Sequence, residues 1–207
     1  MQGEYVTALV ILSVGIAMFA SYMGFQVATL AASTKNNLRR HFSLLSGSIA
    51  LGGGVWSMHF IGMLAFELCT TVTYGWQLTL LSLFPAIAAS WTALHYLTKE
   101  NIRHHQLLLG AVLMGSGIGA MHYIGMAGME MATLLRYDID IFLLSIVVAV
   151  SLSYLSLWAK FKLKDSWGKQ SSETKQNVVA GIVMGAAISG MHYTGMAAAR
   201  FVMPPGF

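Results

Sequence analysis

Gly52-Gly-Gly-Val-Trp-Ser-Met-His-Phe-Ile-Gly-Met63 returns as Gly115-Ser-Gly-Ile-Gly-Ala-Met-His-Tyr-Ile-Gly-Met126, and once more as Gly185-Ala-Ala-Ile-Ser-Gly-Met-His-Tyr-Thr-Gly-Met196. Three such boxes are an internal repeat, and a repeat governs the architecture before any single segment does. Each box lies in a stretch free of Asp, Glu, Lys and Arg: residues 42–66, 106–129 and 176–199. Another uncharged stretch precedes each one, at 5–34, 68–98 and 141–159. These preceding stretches echo one another through Ser21-Tyr-Met-Gly-Phe25, Ser90-Trp-Thr-Ala-Leu94 and Ser153-Tyr-Leu-Ser-Leu157. The repeating unit is therefore a hairpin of two apolar segments, with boundaries at about 5–67, 68–130 and 137–200.

A helix needs roughly 20 apolar residues to cross the hydrocarbon core of a bilayer, and each of the six segments can do so once. The 207 residues are 56% hydrophobic and 10% charged, whereas soluble domains carry about 25% charge. A barrel would show short alternating segments instead of continuous apolar runs. The fold expected is all-α: a polytopic transmembrane helical bundle of six spans, three repeated hairpins related by a pseudo-threefold axis along the membrane normal. The box helices are expected to form the inner ring. Small residues four apart, Ser48 and Gly52, Gly115 and Gly119, Gly181 and Gly185, would let their backbones approach one another in lipid.

Lys35, Arg39, Arg40, Lys99, Arg103, Lys160, Lys162, Lys164, Lys169 and Lys175 all follow the first helix of a hairpin, and only Arg136 and Arg200 do not. Basic loops stay in the cytoplasm, which places the N-terminus outside and the chain in the inner (cytoplasmic) membrane as a multi-pass protein. The pI near 9.3 is explained by topology, so no nucleic-acid partner is expected; the partner is membrane lipid. No basic stretch precedes the first apolar run, which argues against a cleaved signal peptide. A single cysteine, Cys69, excludes an internal disulfide and a thiolate-rich metal site. Residues 1–207 read as one integral-membrane domain. Six spans leave both ends outside, and the close at Pro204-Pro205 leads us to expect that the sequence continues in a longer chain.

Residues four apart share a helix face. His59, Met63 and Glu67 form one stripe, His122, Met126 and Glu130 a second, and His192, Met196 and Arg200 a third. An isolated intramembrane histidine is more often a hydrogen-bonded packing residue than a ligand, but three at one depth, each with a methionine one turn outward, point to a shared site. Imidazole suits copper and zinc, and thioether adds a preference for soft Cu(I), so copper is the first choice and zinc the second. The metal set expected is His59, His122, His192, Met63, Met126 and Met196, with Glu67, Glu130 and Arg200 as a gate or ion pair above it. Met58, Met121 and Met191 sit off the histidine face and read as packing. Phe60, Tyr123 and Tyr193 also read as packing, because Phe60 shows that no hydroxyl is needed in every copy. His41, His95, His104 and His105 fall at the basic ends and read as interfacial.

Met58-His-Phe-Ile-Gly-Met63, Met121-His-Tyr-Ile-Gly-Met126 and Met191-His-Tyr-Thr-Gly-Met196 resemble the MHYT family of bacterial integral-membrane sensor domains, over nearly the whole chain. The resemblance implies seven helices with an outer N-terminus and copper held by His and Met. It further implies sensing of a small gaseous ligand (oxygen, carbon monoxide or nitric oxide), coupled to a cytoplasmic diguanylate cyclase, phosphodiesterase or histidine kinase module. The sensor domain itself is not expected to be an enzyme. This sequence departs from the family tetrapeptide at Phe60 and Ile61, which bears on those positions and not on His59.

A metal or small-molecule transporter or channel is the alternative. The far half of the inner ring shows no polar counterpart to the histidine layer, which counts against it. A zinc hydrolase lacks a carboxylate within the spans to act as general base, a retinal receptor lacks a lysine inside a span, and a bis-histidine haem would need pairs instead of triplets.

Overall fold

The computed structural model describes residues 4–68, 71–99, 102–131, 134–166 and 173–202. Cys69, Lys169 and the Pro204-Pro205 turn lie outside the described residues. In chain order the elements are β1 (Glu4–Tyr5), α1 (Thr7–Ser33), α2 (Asn37–Leu64), β2 (Phe66–Glu67), β3 (Thr73–Tyr74), α3 (Trp76–Leu81), α4 (Leu83–Leu97), α5 (His104–Ala127), β4 (Met129–Glu130), β5 (Leu134–Tyr137), α6 (Ile139–Ser166), α7 (Glu173–Ala198) and β6 (Ala199–Val202).

Among the described residues, six spans are long and apolar enough to cross a membrane, α3 and α4 together making the third. The break between those two has a local cause. Pro85 has no N–H to give to Leu81 and its ring crowds that carbonyl, so the helix interrupts at Ser82, whose hydroxyl turns back to donate to the Thr79 carbonyl at 2.7 Å. At the start of α2, the Asn36 side chain accepts from the backbone N–H of Leu38 and Arg39, taking up two donors that the first turn leaves unpaired.

The chain is a multi-pass membrane protein of three hairpins: α1–α2, α3/α4–α5 and α6–α7. Each span packs on the next, and α7 returns to α1, closing a ring. The box helices α2, α5 and α7 are the inner members, with 44, 50 and 56% of their apolar windows buried, against 28, 33 and 28% for the first helices of the hairpins. Phe19, Phe84 and Ile139 are among the large apolar side chains left on the outside, where lipid is their natural solvent.

The small residues work differently from the sequence expectation. They do not bring the inner helices onto one another. A Cβ on Gly52 would sit 2.8 Å from the Ile87 backbone in α4, one on Gly115 2.8 Å from Val150 in α6, and one on Gly185 2.7 Å from Met18 in α1. Each seam therefore joins a box helix to the first helix of the next hairpin, and the third seam joins the last hairpin to the first. Gly119 instead makes room for the Ile146 side chain. On the inside, Leu51, Val55, Met58, Met114, Ile118, Met121, Met184, Ile188 and Met191 are all buried in one cluster. Side chains of that bulk hold the inner backbones apart, which is why close approach moves to the seams.

Each hairpin also closes on itself in a small antiparallel ladder that the apolar periodicity did not reveal. β1 pairs with β2, β3 with β4 and β5 with β6. Tyr5, Tyr74 and Tyr137 stand in the entering strand of each ladder, opposite Phe66, Met129 and Ala199. The ladders and boxes mark one end of the bundle; the loops with the basic residues mark the other.

The basic end holds a polar group that the repeat pattern concealed. Asn177 stands fifteen residues before His192, where the other two repeats have Leu44 and Leu107, and it is fully buried. Its Nδ2 donates to Gln26 Oε1 at 2.7 Å, Gln26 Nε2 donates to the Tyr22 hydroxyl at 2.7 Å, and Lys160 Nζ donates to Asn177 Oδ1. The far half of the inner ring thus does carry a polar cluster, contrary to the reading from the repeats, because it belongs to one repeat alone.

Candidate metal centre

Helix geometry brings the three box histidines to one level. His59, His122 and His192 are buried, with Nδ1–Nδ1 separations of 3.1 Å (His59 to His192), 3.2 Å (His59 to His122) and 3.3 Å (His122 to His192). The rings meet edge to face, at 77 to 84° and with centroids 4.9 to 5.1 Å apart. This is a three-bladed arrangement in which each imidazole turns the same nitrogen to the axis.

The opposite nitrogen of every ring, Nε2, is buried and has no hydrogen-bond partner among the described residues. It rests on a glycine of the next box. A Cβ on Gly125 would meet Nε2 of His59, one on Gly195 that of His122, and one on Gly62 that of His192. The glycine three residues after each histidine is thereby explained: it is not needed for its own helix but for the neighbour's imidazole.

No assignment of protons satisfies this cluster. A neutral imidazole has one N–H and one lone pair. If all three protons sit on Nε2, three donors are buried unpaired and three lone pairs face each other at 3.1 to 3.3 Å. Moving one proton to Nδ1 lets that N–H point at a neighbouring lone pair, yet two Nε2–H groups stay unsatisfied. Buried unpaired donors cost about 1–3 kcal/mol each. A cation on the axis resolves the convergent lone pairs at once. A tetrahedral ion about 2.05 Å from each nitrogen spaces three ligands about 3.3 Å apart, close to the separations found.

Met63, Met126 and Met196 are buried one turn beyond the imidazoles, in a cluster completed by Phe201. Phe201 stacks on Phe66 with centroids 5.9 Å apart. Met58, Met121 and Met191 fall in the main core instead. His41, His95, His104 and His105 are exposed at the basic ends. Among the described residues, Arg200 pairs with Asp138 at 3.1 Å and lies in register with Arg136. Glu67 stands opposite Glu4 and Glu130 opposite Thr73, so the three hairpins hold these charges in separate ladders. The Arg200 guanidinium keeps the exposed Asp138 carboxyl below its ordinary value.

The box aromatics have a role beyond filling space. The Tyr123 hydroxyl lies 2.7 Å from Ser145 Oγ and that of Tyr193 2.7 Å from Ser13 Oγ. Phe60 has no hydroxyl, and in its repeat Trp56 Nε1–H reaches the serine instead, shared between the Thr79 carbonyl at 3.0 Å and Ser82 Oγ at 3.1 Å. Ser13, Ser82 and Ser145 each follow a ladder tyrosine by eight residues, a signal present in the sequence but visible only once the ladders are known.

The family model described as a bacterial signalling protein N-terminal repeat, MHYT, matches residues 52–110, 115–170 and 185–207. The chain belongs to the MHYT family. The first two matched units run from one box helix into the following hairpin, so the MHYT repeat is phased on the glycine seams. Among curated relatives, the bifunctional diguanylate cyclase/cyclic di-GMP phosphodiesterase MucR of Pseudomonas aeruginosa is 44% identical over 200 residues, 96% of this chain and 28% of that protein. The signaling protein YkoW of Bacillus subtilis is 35% identical over 98% of this chain and 25% of its own length. The cyclic di-GMP phosphodiesterase NbdA of Pseudomonas aeruginosa is 32% identical, again over 98% and 25%. The chain spans about a quarter of the length of these relatives. No solved structure matches it.

Proposed function

We propose that this MHYT domain is a sensory input module that holds one metal ion, copper first and zinc second, on His59, His122 and His192. The observation that carries the reading is the set of three Nδ1 atoms converging at 3.1 to 3.3 Å, which the imidazole protons can pair only in part. Bound there, copper would supply open coordination positions for a small gaseous ligand such as oxygen, carbon monoxide or nitric oxide. Signal input is then either occupancy by the metal or by the gas. Gly62, Gly125 and Gly195 orient the imidazoles, and Met58, Met121 and Met191 close the site on its core side. Met63, Met126 and Met196 offer thioethers on the other. The ladders face outward and the basic loops the cytoplasm, by the positive-inside rule.

The output is proposed to be a cytoplasmic enzyme module in the longer protein, in keeping with the names of MucR and NbdA. α7 carries both His192 and Asn177, so a shift of its imidazole reaches the basic end through one rigid helix. The transporter alternative fares worse, because the core below the triad is filled by large apolar side chains.

Metal analysis of the purified domain, followed by copper titration of the three single His→Ala variants, tests the reading. A shared site predicts one ion per chain and a sharp loss of affinity in every variant. Stoichiometry that falls by one third per histidine, with the remaining affinity unchanged, would refute it.

A further inference from the structure

At the ladder end, between the first and second hairpins, lies a cavity of about 170 Å³ bounded by Met63, Met129, Met196, Phe66, Val72 and Tyr74. The three hairpins each give it one thioether: Met63 from the end of α2, Met129 from β4 and Met196 from the end of α7. Met63 and Met196 follow His59 and His192 by four residues, so they stand one turn, about 6 Å, above the triad on the same helix faces. The floor of the cavity is therefore the roof of the imidazole cluster. At the third hairpin, the four-residue strands β5 and β6 and the buried Phe201 cover the centre.

We infer that this cavity is a separate loading site for a soft monovalent ion, Cu(I), on its way to the triad, an inference that rests on the triad being a metal site. Neutral thioethers bind Cu(I) and leave hard divalent cations in water, and among the described lining residues the neutral Tyr74 phenol is the single side-chain oxygen. Passage from sulfur to nitrogen is an exchange of ligands: copper stays Cu(I), no electron moves, and imidazoles with the proton on Nε2 accept the ion without releasing one. Met129 is the residue that defines the site, since it follows no histidine by four and belongs to no box.

The experiment uses the purified domain in detergent, with Cu(I) delivered from a coloured chelator and zinc followed in parallel. Met129→Leu should slow Cu(I) uptake at least tenfold and leave the rate of zinc uptake unchanged, which also reports an intact fold. Val72→Trp, which fills the mouth, should slow both metals. Unchanged Cu(I) uptake in Met129→Leu would overturn the proposal. His122→Ala provides the second arm: with the triad broken, Ag(I) should still shift the methyl resonances of Met63, Met129 and Met196. If wild-type protein takes no copper at the triad while Ag(I) still moves those methyls, the triad reading fails and the thioether site stands. If copper reaches the triad and the methyls do not respond to Ag(I), the loading site falls alone.

Discussion

A buried imidazole needs room on one side as much as a partner on the other, and here both needs are met across repeats. Gly125→Ala tests this directly. Alanine favours a helix by about 1 kcal/mol over glycine, yet its methyl would land on the His59 ring. The domain should stay folded by circular dichroism while copper affinity drops at least tenfold; unchanged affinity would reduce this glycine to a packing residue. The Trp56–Ser82 bond makes a second prediction. Trp56→Phe should cost about 1 kcal/mol, and adding Phe60→Tyr should restore most of it, which a double-mutant cycle would measure. The histidines were legible in the sequence because they recur at one spacing on one helix face. The cradling by glycine was not, since the letter is visible in each box but the contact runs to a different box. Phe60 shows that the hydroxyl is not needed in every copy; the structure adds that the bond to the serine is kept in that repeat, with its donor moved four residues back.

The ladders escaped the sequence because two to four residues are too few for an alternating pattern to stand out. Their tyrosines give them a pH signature. Burial pushes the phenols of Tyr5 and Tyr137 up to about 12, helped by the nearby Tyr193 and Tyr123, and raises that of Tyr74. A group whose value rises on folding keeps its contribution to stability below the unfolded value, near 10, and loses it as pH climbs through the folded one. The ladders should therefore loosen between about pH 10 and 12, with tyrosinate absorbance at these positions appearing later in the folded domain than in the unfolded chain. Coincident titrations would contradict this. The Asn177 cluster gives a prediction at the other end. Asn177→Leu restores the residue found in the other repeats, yet it takes an acceptor from Lys160 and a donor from Gln26. A loss of about 1–2 kcal/mol is expected, readable by denaturant unfolding in micelles, and Lys160→Leu in the same chain should return part of it.

At the scale of the whole molecule, six spans and three hairpins followed from composition and the boxes alone, because apolar length in a bilayer leaves few alternatives. The placement of the glycine seams did not follow, as spacing along one helix says nothing of which neighbour it meets. Reporter fusions in the loops at residues 35–40 and 99–103 should prove cytoplasmic, and one at residues 68–72 external; any reversal would overturn the proposed orientation. The self-closing ladders carry one more consequence. Every hairpin leaves the membrane beside the point where it entered, and the links between hairpins at 68–72 and 131–133 are short. The order of the hairpins along the gene is thus separable from their order around the axis. A circular permutant starting at residue 72, with a linker of about five residues joining 202 to 4, should rebuild the same triad with every glycine under the imidazole of the neighbouring repeat.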